Sequence, residues 1–251
     1  MKPTISILGL GWLGAPLAQA LVKQGYSVFG SRRSVAANSE GITPFLVDIS
    51  NLEQEYQDFL ATETLIIAIP SRDVEGYRRL AEQIEHSRIK QVLLISSTSV
   101  YPMTNGIVTE ASETLDSVRT EIEHLFVSSP QFTTTVLRFA GLYGYNRQPG
   151  NFFKSGKLIN YPEGYVNMIH RDDCIGIIQA ILDQKLWGEV LNACIDDHPT
   201  RRDFYSWAAA QVGRTDLNFN EEGETLYKIV SNQKLQDLLG YEFKHSKLMV
   251  E

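Results

Sequence analysis

Gly9, Gly11 and Gly14 follow the apolar run Ile5-Ser6-Ile7-Leu8 in the spacing G-x-G-x-x-G. The chemistry this spacing allows is phosphate binding by main chain. Gly9 permits a tight turn, Gly11 lets a pyrophosphate approach the backbone, and Gly14 lets the next helix lie close to the strand. Trp12 and Leu13 complete the loop, and the first amides of a helix beginning there would hold the phosphates. Roughly twenty residues further on, enzymes that use NAD place Asp or Glu for the ribose 2′-hydroxyl. Here the chain reads Ser31-Arg32-Arg33. Guanidinium groups bond phosphate in a bidentate manner and stack on adenine, so the expected cofactor is NADP(H), with NAD(H) second.

Each of these features also has a plainer reading. Lys2 precedes an apolar segment, and Ala18-Gln19-Ala20 imitates a secretory cleavage site. Pro16 and the spaced glycines oppose that, and cleavage would delete the start of a regular pattern. A glycine turn can also serve packing alone, and Arg32 and Arg33 can be two surface arginines after a strand. Asp172-Asp173 does not form a converging carboxylate pair, because neighbours on a helix point about 100° apart. A helix cap is the better reading there. Cys174 and Cys194 lie in apolar contexts as small core residues, and no metal set is expected.

The elements that must position these residues alternate. Apolar residues mark strands at 5–8, 26–30, 45–48, 64–69, 91–96, 133–139 and 189–192. Helical spacing marks 12–22, a short crossover at 52–60, then 74–86, 117–128, 171–184, 200–212 with Thr200 as N-cap, and 230–239 ending at Gly240. This order predicts an α/β fold, a Rossmann-type doubly wound parallel sheet with a small C-terminal substrate-covering part. Residues 1–140 are expected to form the NAD(P)-binding core. Residues 141–251, rich in Gly, Tyr, Asn and Pro up to Gly164, are expected to add substrate-side loops to the same compact unit.

Size and charge narrow the function classes. The chain has 251 residues, 43% of them hydrophobic, and a formal net charge of −7, which suits one enzyme-sized unit without a nucleic-acid footprint. No run approaches the roughly 20 apolar residues of a membrane span. With two cysteines in apolar contexts, a reducing cytoplasm is the expected compartment. The expected partner is a small-molecule substrate, and the chain is expected to act as a monomer or homodimer.

In this order, the motifs resemble those of the short-chain dehydrogenase/reductase superfamily in its extended branch of NAD(P)-dependent epimerases and dehydratases. The matching segments are the glycine loop, Ala68-Ile69-Pro70, Ser96-Ser97-Thr98-Ser99-Val100-Tyr101, Leu137 to Gly144, Ile169 to Asp173, and Asn192 after Gly188-Glu189-Val190-Leu191. The resemblance implies that Ala68, Ile69 and Pro70 lie along the cofactor, that Asp48 lies near the adenine, and that Ser97 supplies an active-site hydroxyl. It also calls for a Tyr-x-x-x-Lys pair, in which tyrosine moves a proton and lysine lowers its pKa and holds the nicotinamide ribose. That pair is missing. With Glu123 aligned to the family glutamate, Leu115 falls on the tyrosine and Arg119 on the lysine. No Tyr lies between Tyr101 and Tyr143, and no Lys between Lys90 and Lys154. Leucine transfers no proton; Arg119 can still hold a ribose.

This places the chain with the atypical members, similar to the bacterial YeeZ-like group. Tyr143 is the first candidate for a replacement acid, ahead of Tyr101 and His170. The expected function is an NADP(H)-dependent oxidoreductase or epimerase/dehydratase relative with a non-standard acid. Its substrate would be small and polar, of the sugar-nucleotide kind. The alternative is an NADP(H)-binding sensor without turnover.

Overall fold

The computed structural model describes residues 2–34, 40–154 and 156–250. Along the chain the elements are β1 (Thr4–Leu8), α1 (Gly14–Lys23), β2 (Ser27–Arg32), β3 (Ile42–Leu46), β4 (Thr64–Ile67), α2 (Val74–Glu85), β5 (Gln91–Ser97), β6 (Gly106–Val108), α3 (Val118–Val127) and β7 (Thr133–Phe139). They continue with β8 (Gly141–Tyr143), β9 (Leu158–Ile159), β10 (Met168–His170), α4 (Arg171–Gln184), β11 (Val190–Ala193), α5 (Arg201–Ala210), β12 (Asn218–Phe219), β13 (Lys228–Val230) and α6 (Gln233–Leu239).

Seven strands form a parallel central sheet in the order β3-β2-β1-β4-β5-β7-β11. The order reverses direction after β1, which is the mark of a doubly wound sheet. β1 is central and buried along Ile5 to Leu8, so it reads as a mostly apolar run. The polar side chain within that run, Ser6, is satisfied by donating to the Phe59 carbonyl. β8 pairs with β10, β9 with β12, and β6 with β13, each in parallel.

The chain divides into two compact units. The first comprises Met1–Ser96, Asp116–Arg138 and Ile178–Val190; the second comprises Ser97–Leu115, Phe139–Ile177 and Leu191–Glu251. The first has a core that includes Leu65, Ile67, Leu80, Phe59 and Phe126. Ile159, Met168, Ile195, Phe204 and Leu248 build the core of the second.

Several sequence expectations need correcting. Residues 52–60 form turns, not a helix. Gln83 Oε1 accepts the Tyr56 N–H that a helix would direct to the Leu52 carbonyl, while Asn51 Oδ1 accepts the Glu53 N–H and Gln54 Oε1 the Asp48 N–H. β2 runs on to Arg32 because Ser31 continues the ladder, its carbonyl accepting the Leu10 N–H at 2.8 Å. β3 starts earlier than expected, its register fixed by Val28 opposite Ile42. The last helix begins at Gln233, and residues 228–230 belong to β13 instead. Gly240 ends that helix in the left-handed conformation, φ 58°.

One buried ion pair anchors α3 to the sheet. Arg138 on β7 donates from Nη2 to Glu123 Oε2 at 2.6 Å and from Nε to both carboxylate oxygens. Ser96 at the end of β5 donates to Glu123 Oε1. All three side chains are buried. Removing one member leaves the other charge without a partner in a dry site. Glu123→Ala is therefore expected to lower the unfolding free energy by about 3–5 kcal/mol in urea denaturation. A loss below about 1 kcal/mol would mean that the pair behaves as a solvated surface bridge.

Candidate functional site

The turn between β1 and α1 is built by what its glycines lack. Gly9 has φ +102°, and a Cβ there would lie 2.5 Å from Ile69 Cγ2. At Gly14 a Cβ would lie 2.0 Å from the Gly9 carbonyl oxygen. Gly11 is the opposite case: a Cβ there meets nothing within 4 Å, and the residue is exposed. Leu13, at the N-cap of α1, provides no side-chain hydrogen bond to the first turn, and no acidic residue occupies that turn. The helix thus presents amides without a side-chain acceptor beside an open glycine.

Ser31 is buried, and its hydroxyl accepts the Gly9 N–H at 3.1 Å, so it props the glycine turn. Arg32 and Arg33 are exposed at the carboxyl end of β2, and neither makes an ion pair among the described residues. Arg33 lines a surface recess of about 500 Å³ with Leu46, Val47, Asp48, Glu53 and Gln54. The Asp48 carboxylate accepts from the Ser50 hydroxyl and N–H, which with the nearby Arg33 charge holds its pKa below the ordinary value. Ala68 and Ile69 abut Gly9, with the Ala68 N–H donating to the Leu8 carbonyl, and Pro70 is exposed beyond them.

Arg119 is the second residue of α3 and half-buried. Its charge opposes the effect of burial on Tyr77, whose hydroxyl is pushed up to about 12. Leu115 is not on that helix at all. Ser117 caps α3 by accepting the Thr120 N–H, and Leu115 precedes the cap with its N–H on the Val100 carbonyl. The segment that would carry a tyrosine in a Tyr-x-x-x-Lys pair is neither helix nor strand here.

In the second unit, Ser97 ends β5 and its Oγ accepts the Ser99 N–H at 3.1 Å, leaving its proton as a donor. Tyr101 is buried and donates to Asn192 Oδ1 at 2.8 Å. Tyr143 is half-buried against the edge of His170, ring centroids 5.1 Å apart. Burial, reinforced by Asp173 and Asp197, pushes its hydroxyl up to about 12. It is a phenol at neutral pH, able to donate a proton but not to abstract one.

His170 Nδ1 accepts the Asp172 N–H at 3.2 Å, so the imidazole caps α4. Its pKa is lowered, first by burial and then by the His245 ring stacked on it at 3.7 Å. Asp172 and Asp173 are not helix caps. Asp172 accepts from the Tyr145 hydroxyl. Asp173 is fully buried and accepts from Tyr241 Oη and from the N–H groups of Lys244 and His245. His170, Asp173 and His245 offer donor atoms within 4.8 Å of one another, but those bonds commit the Asp173 oxygens to the C-terminal segment. Cys174 and Cys194 are fully buried, and burial raises both thiols, as suits core residues.

Two groups escaped the sequence reading as candidates. Lys228 is buried on β13, and Asn192 is fully buried on β11 with no acceptor for its Nδ2 among the described residues. The available signal was a lysine on the inward side of an apolar triplet, Lys228-Ile229-Val230, whose ends are both buried.

Comparison with known proteins agrees with this architecture. Residues 4–117 match the family model described as the NAD binding domain of 6-phosphogluconate dehydrogenase. A functionally unknown conserved protein from Silicibacter pomeroyi superposes with TM-score 0.79 at 23% identity, covering 97% of this chain and 94% of that one. UDP-glucuronic acid 4-epimerase from Bacillus cereus, solved with UDP-glucuronic acid and NAD, superposes with TM-score 0.80 at 21% identity over 96% and 94%. The fold is shared with structures of NAD-dependent epimerases and dehydratases. Protein YeeZ of Escherichia coli K12 is 30% identical over 98% of this chain and 97% of its own length. The chain belongs to the YeeZ family.

The glycine geometry separates two substitutions that look alike in sequence. Gly14→Ala forces a carbon into the Gly9 carbonyl and is expected to cost about 1–3 kcal/mol of stability. Gly11→Ala meets open space and is expected to change stability by less than about 0.5 kcal/mol. Thermal denaturation of both variants checks this, and equal losses would contradict the described turn.

Proposed function

We propose that the protein binds NADP(H) and acts as an oxidoreductase of the epimerase/dehydratase kind on a small polar substrate, with a non-standard acid. The observation that carries the reading is the β1–α1 turn: open space over Gly11 beside uncapped amides, with Arg32 and Arg33 unpaired among the described residues. Those features fit a dinucleotide, with the pyrophosphate over Gly9, Gly11 and Gly14 and the 2′-phosphate toward Arg32 and Arg33. Asp48 and Ala68 to Pro70 would flank it, and Arg119 would hold the nicotinamide ribose. The structural neighbour that holds NAD does not decide between the two dinucleotides for this chain.

The bound nicotinamide would supply or accept a hydride. Ser97, with its free proton, would hold a substrate oxygen, and Tyr143, protonated at neutral pH, would act as the acid. In this reading residues 1–140 serve the cofactor and residues 141–251 the substrate. A sugar nucleotide is the substrate class favoured by the neighbour crystallised with UDP-glucuronic acid. Two unpaired buried cysteines fit a reducing cytoplasm.

A second reading, an NADP(H) sensor without turnover, is favoured by Leu115 standing outside α3 where the proton-transfer tyrosine would be needed.

Energy transfer from Trp12 to bound NADPH measures affinity directly. NADPH is expected to bind at least about tenfold more tightly than NADH, and Arg32→Ala to remove most of that preference. Equal affinities in the wild type would sink the NADP(H) assignment. Turnover of sugar nucleotides, followed at the reduced nicotinamide band and lost in Ser97→Ala, supports the enzyme. Binding without turnover across the panel leaves the sensor.

A further inference from the structure

We propose that Lys228 is an oxyanion-binding residue whose ammonium receives a carboxylate or phosphate oxygen of the substrate. This rests on the reading that the second unit takes a small polar substrate, and it names the acidic group that substrate must carry.

Lys228 is 9% exposed, and its Nζ makes one hydrogen bond, to the Tyr101 carbonyl. It forms no ion pair among the described residues. An ammonium has three donors, so two remain open. Burying a charge without a counter-ion is costly, and proteins meet that cost by pairing the charge. Supporting a single carbonyl would not need a cation, since a neutral amide can do it. Burial already pushes the amine below its ordinary pKa, as expected of a cation that lacks its partner.

The backbone holds this lysine firmly. Asn167 Nδ2 donates to the Lys228 carbonyl, and Asn167 Oδ1 accepts the Val230 N–H. Gly106 on β6 stands opposite Lys228 and offers no side chain to cover it. The same tyrosine touches a second open donor. Its phenol donates to Asn192 Oδ1, while Asn192 Nδ2, fully buried, has no acceptor among the described residues. Tyr101 lies four residues after Ser97, so the segment proposed to hold substrate is linked to two buried groups with unused N–H bonds; among the described residues no carboxylate pairs with Lys228, and Glu110 Oε1 takes the Asn192 backbone N–H instead. A neutral polyol hydroxyl has to place its own proton as well. An oxyanion is acceptor-only and supplies the missing charge.

The test measures thermal midpoints and calorimetric affinities with NADPH at saturation, which keeps phosphate off the glycine turn. The probes are glucuronate, inorganic phosphate and, as the neutral control, glucose. Glucuronate, phosphate or both are expected to stabilise the wild type, and whichever does so identifies the carboxylate or the phosphate as the source; glucose is not. Lys228→Gln keeps a donor for the Tyr101 carbonyl without the charge, and it is expected to weaken the oxyanion response about tenfold or more while NADPH affinity stays unchanged. Lys228→Met removes the charge together with the donor to the Tyr101 carbonyl, and its oxyanion response is expected to be lost as in Lys228→Gln. If Lys228→Gln does not fold, the same titration on Lys228→Met decides. The inference is overturned if neither oxyanion stabilises the wild type, or if the variant responds as the wild type does. Wild-type protein that binds glucuronate but not NADPH would sink the cofactor reading and leave this one standing.

Discussion

The Gly9 carbonyl oxygen and the Gly14 Cα approach so closely that no side-chain carbon fits between them. That contact sets where α1 begins relative to β1, and much of the first unit depends on it. Because α1 starts there, its first amides come free beside Gly11, and the Gly9 N–H turns back onto the buried Ser31 hydroxyl. Ser31 in turn carries β2 one step further, so that Arg32 and Arg33 emerge at the strand's carboxyl end. One steric constraint thus orders a turn, a helix terminus and a pair of guanidiniums.

Buried polar groups divide the molecule into satisfied and unsatisfied sites. Glu123, Arg138 and Ser96 bond one another, and that cluster is structural: it ties α3 to β5 and β7. Asp173 is equally buried and equally committed, to the backbone of residues 244 and 245 and to Tyr241. Lys228 and Asn192 differ because their donors outnumber their acceptors. Low local dielectric makes each unmade bond expensive, so an imbalance of this kind points to a ligand where a balanced cluster points to the fold.

Proton transfer is where this chain departs from the chemistry its fold suggests. A tyrosine works as a base when a neighbouring cation lowers its pKa. Tyr143 has the reverse surroundings, apolar burial with Asp173 and Asp197 nearby, and stays protonated. In the proposed chemistry it would serve as a proton donor to a substrate oxygen.

The local patterns of the sequence determined a good deal. The glycine spacing gave the turn. The residues of β7 and α4 fell where expected, the Thr200 cap accepts the Asp203 N–H, and Gly240 ends α6. These features depend on neighbours within a few positions, and propensity and periodicity report such neighbours. The turns at residues 52–60 were illegible because Gln83, far along the chain, supplies an acceptor that competes with helical bonds. The paired short strands β6 and β13, some 120 residues apart in sequence, were illegible for the same reason. Only the tertiary structure decided that Ser31 props a turn, that Asp173 clasps the C-terminal segment instead of capping a helix, and that Lys228 is buried with its charge unmatched. Burial and partnership are relations between distant residues, and the cost of an unpaired charge exists only once folding has removed the water around it.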